Sequence, residues 1–133
     1  MTDEQKRNLV KLAKDAREKA YAPYSNYQVG AALLTKTGLV FSGCNVENAA
    51  LGHTICAERT AILKAVSEGH RTFEGIAVVT KDGGTPCGSC RQVMREFAGD
   101  LTVIVADEKG ATKTYTLNEL LPHSFGPDNL KKT

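Results

Sequence analysis

Three cysteines and one glutamate are the residues of this sequence with the clearest capacity for chemistry. Glu58 follows Cys56 by two positions, and Cys87 and Cys90 form a C-x-x-C pair further along the chain. Three thiolate ligands leave one tetrahedral position of a zinc ion open for water, and hydrolytic zinc also needs a group that moves the protons of that water. The spacing therefore predicts a catalytic site with one Zn²⁺ per chain, bound by the three cysteines and served by Glu58.

Two other interpretations of the four cysteines stay open at this stage. With Cys44 as a fourth ligand, the site would be closed and purely structural. Side-chain alternation disfavours this, because Asn45 and Glu47, which are expected to face the site, lie on the strand face opposite to that of Cys44. Two disulfides are the other interpretation, although a C-x-x-C pair joined by a distant cysteine more often binds metal.

Both ligand segments are predicted to begin helices. Thr54 and Thr85 each lie two residues before a ligand cysteine, where an N-cap is expected, and Pro86 suits the first helical position. The free N–H groups of two helix starts would then point at the metal and favour thiolates.

The elements that must position this site alternate along the chain. A capping box of Thr2 and Gln5 predicts a first helix, ended by Pro23, and a Thr116–Glu119 box predicts a last short helix. The order is α-β-β-α-β-α-β-β-α, a sheet with helices on both faces. The predicted helices cover 3–20, 56–68, the segment after 86 and 116–122, and the predicted strands cover 28–35, 39–47, 75–80, 101–106 and 112–116.

Composition narrows the class of substrate. The 133 residues predict one domain, 1–133, and 17 Lys and Arg against 15 Asp and Glu give a net charge of +2. The basic residues are scattered rather than gathered into a stripe, which disfavours nucleic acid as a partner. The apolar stretches are too short to span a membrane, so we expect a cytoplasmic protein that acts on a small molecule.

Around these residues the sequence resembles the cytidine deaminases, and most closely the short homotetrameric type that binds zinc through three cysteines instead of a histidine and two cysteines. The resemblance covers nearly the whole chain. Its motifs lie at Tyr21–Ser25, Val29–Leu33, Gly43–Asn48, Cys56–Thr60, Pro86–Gln92 and Leu120–Pro122.

The resemblance implies a fold and a reaction. The fold is an α/β three-layer α-β-α sandwich with a five-stranded mixed sheet. The reaction is hydrolysis of cytidine and 2′-deoxycytidine to uridine and 2′-deoxyuridine with release of ammonia, in pyrimidine salvage. Glu58 carries a proton from water to N3 of the base and another to the leaving amino group. The N–H of Ala57 and the carbonyl of Thr85 bind the edges of the base.

Further site residues also follow from the resemblance. Asn45 and Glu47 match the ribose-binding pair, and Tyr27 lies beside the nucleoside. Phe125 matches a residue that reaches into a neighbouring subunit of the homotetramer, so sites are completed between chains. Leu51 stands where many relatives have a tyrosine at the subunit contact, so details of that contact are not carried over.

Arg59 is predicted to tune the metal on grounds of charge. Three thiolates leave one net negative charge on a Zn²⁺ site, which disfavours deprotonation of water there. Arg59 lies one helical turn after Cys56, on the same face, and its guanidinium is suited to hydrogen-bond a ligand sulfur.

Two rival functions stay open on the sequence alone. A deaminase of this fold could act on a different aminopyrimidine, as the blasticidin deaminases do, although the pair Asn45 and Glu47 favours cytidine. A zinc-stabilised interaction module without catalysis would need a closed metal shell and would give Glu58 no role.

Overall fold

The computed structural model describes residues 1–130 as a mixed five-stranded sheet with helices on both faces, which confirms the predicted fold class. The last three residues of the predicted domain, 131–133, lie outside the described part. The strands are β1 Gly30–Thr35, β2 Val40–Cys44, β3 Phe73–Val79, β4 Thr102–Ala106 and β5 Thr112–Thr116. The helices are α1 Asp3–Arg17, α2 Ala57–Ser67, α3 Gly88–Phe97 and α4 Leu117–Leu120, with short 3-10 helices at Leu51–His53 and Pro127–Asn129.

The sheet has the order β2-β1-β3-β4-β5. Only the β3–β4 pair is parallel, and the other three neighbours are antiparallel. Alternate residues of the three central strands β1, β3 and β4 point into two separate cores. One core packs against α2 and α3, and the other packs against α1. This arrangement makes three layers, with the predicted metal ligands at the starts of the two helices on one face.

Both predicted capping boxes are present. Thr2 and Gln5 close the start of α1, and Thr116 and Glu119 close the start of α4. Several element ends differ from the prediction, among them the end of the first helix and both ends of the second strand. Helix α1 stops at Arg17, well before Pro23, because the chain then becomes extended and Tyr21 forms a bridge with Val46.

The second predicted strand is shorter at both ends than expected, and its end matters for the site. Strand β2 stops at Cys44, and Val46 pairs instead with Tyr21 and Ile55. The segment of 45–47 thus leaves the sheet while remaining held by backbone hydrogen bonds on both sides. None of the helices within residues 1–130 is long and apolar enough to cross a bilayer.

Candidate active site

The three predicted ligand cysteines come together at the starts of α2 and α3. The Sγ atoms of Cys56, Cys87 and Cys90 all lie within 4.8 Å of one another, and those of Cys87 and Cys90 are 3.5 Å apart. Cys44 is not part of this cluster, and it is half-buried rather than a core residue. A donor set of three sulfurs matches a zinc site that keeps one position open, and zinc is the metal that such a set favours.

The predicted N-caps were wrong by two residues. The N-cap of α2 is Cys56 itself, and that of α3 is Cys87, so the ligands occupy the cap positions. Thr54 instead accepts a hydrogen bond from the backbone N–H of Asn48. A thiolate at a helix start lies next to free backbone N–H groups, which stabilise its negative charge.

Two local features bring α2 to this place. Val46 and Ile55 exchange two backbone hydrogen bonds of 2.9 and 3.0 Å, which set Cys56 beside the end of β2. Gly43 lets α2 approach the strand closely, since a Cβ atom there would lie 2.7 Å from the nitrogen of Ala61. A larger residue at position 43 would push the ligand-bearing helix away from the sheet.

Glu58 is the buried acidic group of the site. It is 4% exposed, and among residues 1–130 its Oε1 atom has no hydrogen-bond partner. Burial raises the pKa of this carboxyl to about 7. A carboxyl group without a protein partner is costly to bury unless a bound group uses it, so this orphaned oxygen indicates a ligand or reacting molecule at the cysteine cluster.

Arg59 lies against the cluster. Its Nη2 atom is 3.5 Å from Cys56 Sγ and 3.4 Å from the carbonyl oxygen of Thr54. The pKa of Cys56 is lowered to about 5, first by a hydrogen bond with Cys90 and then, against the effect of burial, by the guanidinium of Arg59. The arginine therefore favours the thiolate form of this cysteine.

A cavity of about 300 Å³ opens beside the cluster. It brings together seven of the predicted site residues, while Ala57 and Cys90 are fully buried behind its wall and Arg59 and Phe125 lie outside its lining. Its lining comprises Ser25, Tyr27, Val29, Asn45, Glu47, Thr54, Cys56, Glu58, Val78, Thr80, Gly84, Thr85 and Cys87.

The end of the cavity away from the metal ligands is built from hydrogen bonds. Asn45 donates from Nδ2 to the carbonyl of Tyr27 at 2.8 Å and accepts from the N–H of Val29 at 2.9 Å. Glu47 accepts hydrogen bonds from the N–H groups of Tyr24 and Ser25 and from the Ser25 hydroxyl. These bonds, the hydroxyl first, hold the pKa of Glu47 below its usual range.

Sequence reasoning missed two residues that brace the cavity, Ser25 beside Glu47 and Arg91 beside Thr85. The motifs that contain Ser25 and Arg91 indicate no role for either side chain. Arg91 donates to the carbonyls of Pro86 and Leu120 at 2.7 and 2.6 Å and to the hydroxyl of Thr85 at 2.9 Å. It joins the segment before α3 to the last residue of α4, a contact between distant parts of the chain that local spacing does not reveal.

The carboxy-terminal segment presents its aromatic residue to the outside. Phe125 is 58% exposed, and its carbonyl accepts a hydrogen bond from Gln92 of α3 at 2.9 Å. Leu51, the position that departs from many relatives, is 71% exposed.

Comparison with known proteins gives one consistent result. Residues 3–106 match the family model described as the cytidine and deoxycytidylate deaminase zinc-binding region. Cytidine deaminases of Sporosarcina psychrophila and Halalkalibacterium halodurans are 48% and 51% identical over 92% of this chain and over 92% and 95% of their own lengths. The crystal structure of cytidine deaminase from Burkholderia pseudomallei has a TM-score of 0.87 at 49% identity, over 94% of this chain and all of that one.

Proposed function

The chain belongs to the cytidine and deoxycytidylate deaminase family, and from that premise we propose that it hydrolyses cytidine and 2′-deoxycytidine to uridine and 2′-deoxyuridine, with release of ammonia. One observation carries the proposal most directly. A buried carboxylate oxygen without a partner in residues 1–130 belongs to Glu58, which shares its cavity lining with two of the three clustered cysteines.

Cys56, Cys87 and Cys90 hold the family's zinc ion, which when bound activates a water molecule as the nucleophile. Glu58 accepts a proton from the attacking water and donates it to N3 of the cytosine ring. As the water oxygen bonds to C4, the ring becomes tetrahedral at that carbon. Glu58 then takes the remaining proton from the new C4 hydroxyl and delivers it to the exocyclic nitrogen as the C4–N bond breaks, which leaves the C4 carbonyl of uridine and releases ammonia. One carboxyl group can do both because it is buried at the cavity wall and can alternate between its ionised and protonated forms as it gains and loses the proton.

Backbone groups at the helix starts bind the edges of the base. Ala57 is the first residue of α2, so its N–H has no partner within the helix and is free to donate to an acceptor. Thr85 lines the cavity, and its carbonyl accepts from the exocyclic amino group of the substrate. The base is thereby aligned with C4 toward the cysteine cluster.

Asn45 and Glu47 bind the sugar hydroxyls at the other end. Glu47 is held in its ionised form by Ser25 and by backbone N–H groups, so it is a strong acceptor for a ribose hydroxyl. The same charge repels a phosphate group at that position. We therefore expect free nucleosides to be preferred over nucleotides and polynucleotides.

The proposal includes assembly and location. Phe125 projects away from its own chain while its carbonyl is anchored on α3, and an exposed aromatic side chain held in this way is suited to enter the site of a neighbouring subunit. A homotetramer completes the sites in this manner.

A cytoplasmic location fits the four free cysteines, because a reducing compartment keeps their thiols available for metal. In that compartment the reaction serves pyrimidine salvage.

An absorbance assay on the purified protein tests the function, with cytidine, 2′-deoxycytidine, cytosine and cytidine 5′-monophosphate as substrates and zinc content measured on the same sample. We expect one zinc per chain and turnover of both nucleosides, with little of the free base or the nucleotide. Zinc without turnover would favour a structural module. Turnover of another aminopyrimidine instead of cytidine would contradict the substrate assignment.

A further inference from the structure

Strands β1 and β3 separate at the cavity. Their antiparallel ladder pairs Ala31 with Val78 and ends with Gly30 opposite Val79. If the same register is continued by three residues, Tyr27 stands opposite Asp82. The two segments beyond the ladder both contribute to the cavity lining, with Tyr27 from one segment and Gly84 and Thr85 from the other.

A side-chain hydrogen bond spans this gap. The phenol hydroxyl of Tyr27 donates to Oδ1 of Asp82 at 2.7 Å. The same oxygen accepts from the hydroxyl of Thr80 and from the N–H of Gly84, both at 3.2 Å. Asp82 therefore connects Tyr27 to the loop that ends at Thr85, the residue proposed to bind the base.

The main chain of Tyr27 is fixed to the sugar-binding residues of the cavity. Its N–H donates to the hydroxyl of Ser25 at 3.0 Å, and its carbonyl accepts from Asn45 at 2.8 Å. The hydrogen bond from Tyr27 is the main reason that the pKa of Asp82 is low, so the acceptor is ionised at neutral pH. A charged acceptor makes the hydrogen bond stronger than a neutral one.

We propose that Asp82 is a positioning residue, and that its hydrogen bond with Tyr27 holds the sugar-binding segment and the base-binding loop at a fixed separation. The inference rests on the proposed function. None of the bonded groups belongs to the cysteine cluster or to Glu58, so the bond acts on substrate affinity rather than on proton transfer. It replaces the backbone ladder at the place where the strands must part to admit a nucleoside.

A double-mutant cycle with Tyr27→Phe, Asp82→Ala and the double variant tests the role of the hydrogen bond between Tyr27 and Asp82. Tyr27→Phe keeps the ring that lines the cavity and removes only the donor. We expect each single change to raise KM for cytidine about fivefold, the equivalent of one net hydrogen bond, with kcat and zinc content unchanged. The double variant should be no worse than the single ones, because both remove the same bond.

Two further variants serve as controls. Asp82→Asn keeps an acceptor oxygen and should recover most of the affinity. Tyr115→Phe removes a phenol hydroxyl on β5, which is not part of the cavity lining, and should behave as the parent protein. Effects that add in the double variant, or an unchanged KM in Tyr27→Phe or Asp82→Ala, would overturn the proposal. A lower melting temperature with unchanged KM would do so as well.

Amide hydrogen exchange on the substrate-free proteins gives a readout that does not depend on turnover. The N–H groups of Gly83 and Gly84 donate to Thr80, whose hydroxyl lies beside Asp82. Both single variants should exchange faster over residues 80–85, and equal rates would contradict the tie. Absence of cytidine turnover in the parent protein would instead refute the proposed function, and the exchange result would still judge the hydrogen bond.

Discussion

The two ends of the cavity are held in place by different means. At the metal end, Ala57, Glu58 and Cys90 are buried, and they belong to helices packed on the sheet. At the sugar end, Glu47 and Tyr27 are partly exposed and are fixed by hydrogen bonds. Packing against a core tolerates little displacement, whereas hydrogen bonds near water contribute less each and can be lost singly. Changes at the metal end should therefore abolish chemistry, and changes at the sugar end should weaken binding.

The largest effect is expected at the cysteine cluster. Cys90→Ala removes a buried ligand, so zinc and all measurable turnover should be lost together. Cys44→Ala is the matched control, because Cys44 is a free cysteine outside the cluster and should leave both quantities unchanged. Metal analysis and the cytidine assay on one preparation check the pair. An active Cys90→Ala protein with full zinc content would contradict the ligand assignment.

A smaller effect is expected at Arg59, which contacts a ligand sulfur but is not itself a metal ligand. Arg59→Gln removes a positive charge beside Cys56, and we expect zinc to stay while kcat falls about ten- to a hundredfold. Adding Cys56→His should restore part of the rate, because a neutral ligand then replaces one thiolate. Arg59→Gln with the parent rate would show that this arginine does not tune the site.

At the sugar end the same kind of change should act on KM instead. Glu47→Gln keeps the shape of the side chain but loses its charge, and we expect KM for cytidine to rise about tenfold with kcat nearly unchanged. Glu96→Gln, at an exposed glutamate of α3, controls for the loss of one negative charge. A fall in kcat with constant KM would instead show that Glu47 acts in the chemical step and not in substrate binding.

The smallest effect is expected at the carboxy-terminal segment. Phe125→Ala should raise KM a few-fold without changing zinc content, because the residue completes a neighbouring site only at its edge. Leu130→Ala, at another exposed apolar residue of this segment, is the control. Sizing by light scattering on the same samples should show a tetramer for the parent protein. A fully active monomer would refute the shared site.

The difference between the metal end and the sugar end also explains which parts of the site could be predicted from the sequence. The cysteines and Glu58 lie in two short motifs whose spacing already indicates their chemistry, and the order of helices and strands along the chain followed from local periodicity. The tie between Tyr27 and Asp82 depends on the register of β1 against β3, which no local pattern contains. The predicted N-caps were wrong because cysteine is not a usual N-cap residue, and neither helix start has the side-chain cap hydrogen bond that a threonine would make.

The roles of the sugar-end residues came from the family resemblance rather than from local chemistry. Asn45 shows this, since each end of its amide makes one hydrogen bond to the backbone, of Tyr27 or of Val29, and keeps a second donor or acceptor position for a ligand. The sequence alone does not indicate that a polar residue at a strand end makes hydrogen bonds to the backbone of another segment. Hydrogen bonds between distant segments are thus the part of this site that needed the three-dimensional structure.

The most direct test of the proposed mechanism compares Glu58→Gln with the parent protein, measuring zinc per chain and ammonia release from cytidine on the same samples. Glutamine keeps the shape but cannot carry a proton, so we expect one zinc per chain and a loss of turnover of about a thousandfold. Glu58→Asp, which keeps a shortened carboxylate, should retain more activity than Glu58→Gln. Normal ammonia release by a zinc-loaded Glu58→Gln protein would contradict the role of this carboxylate as the proton carrier.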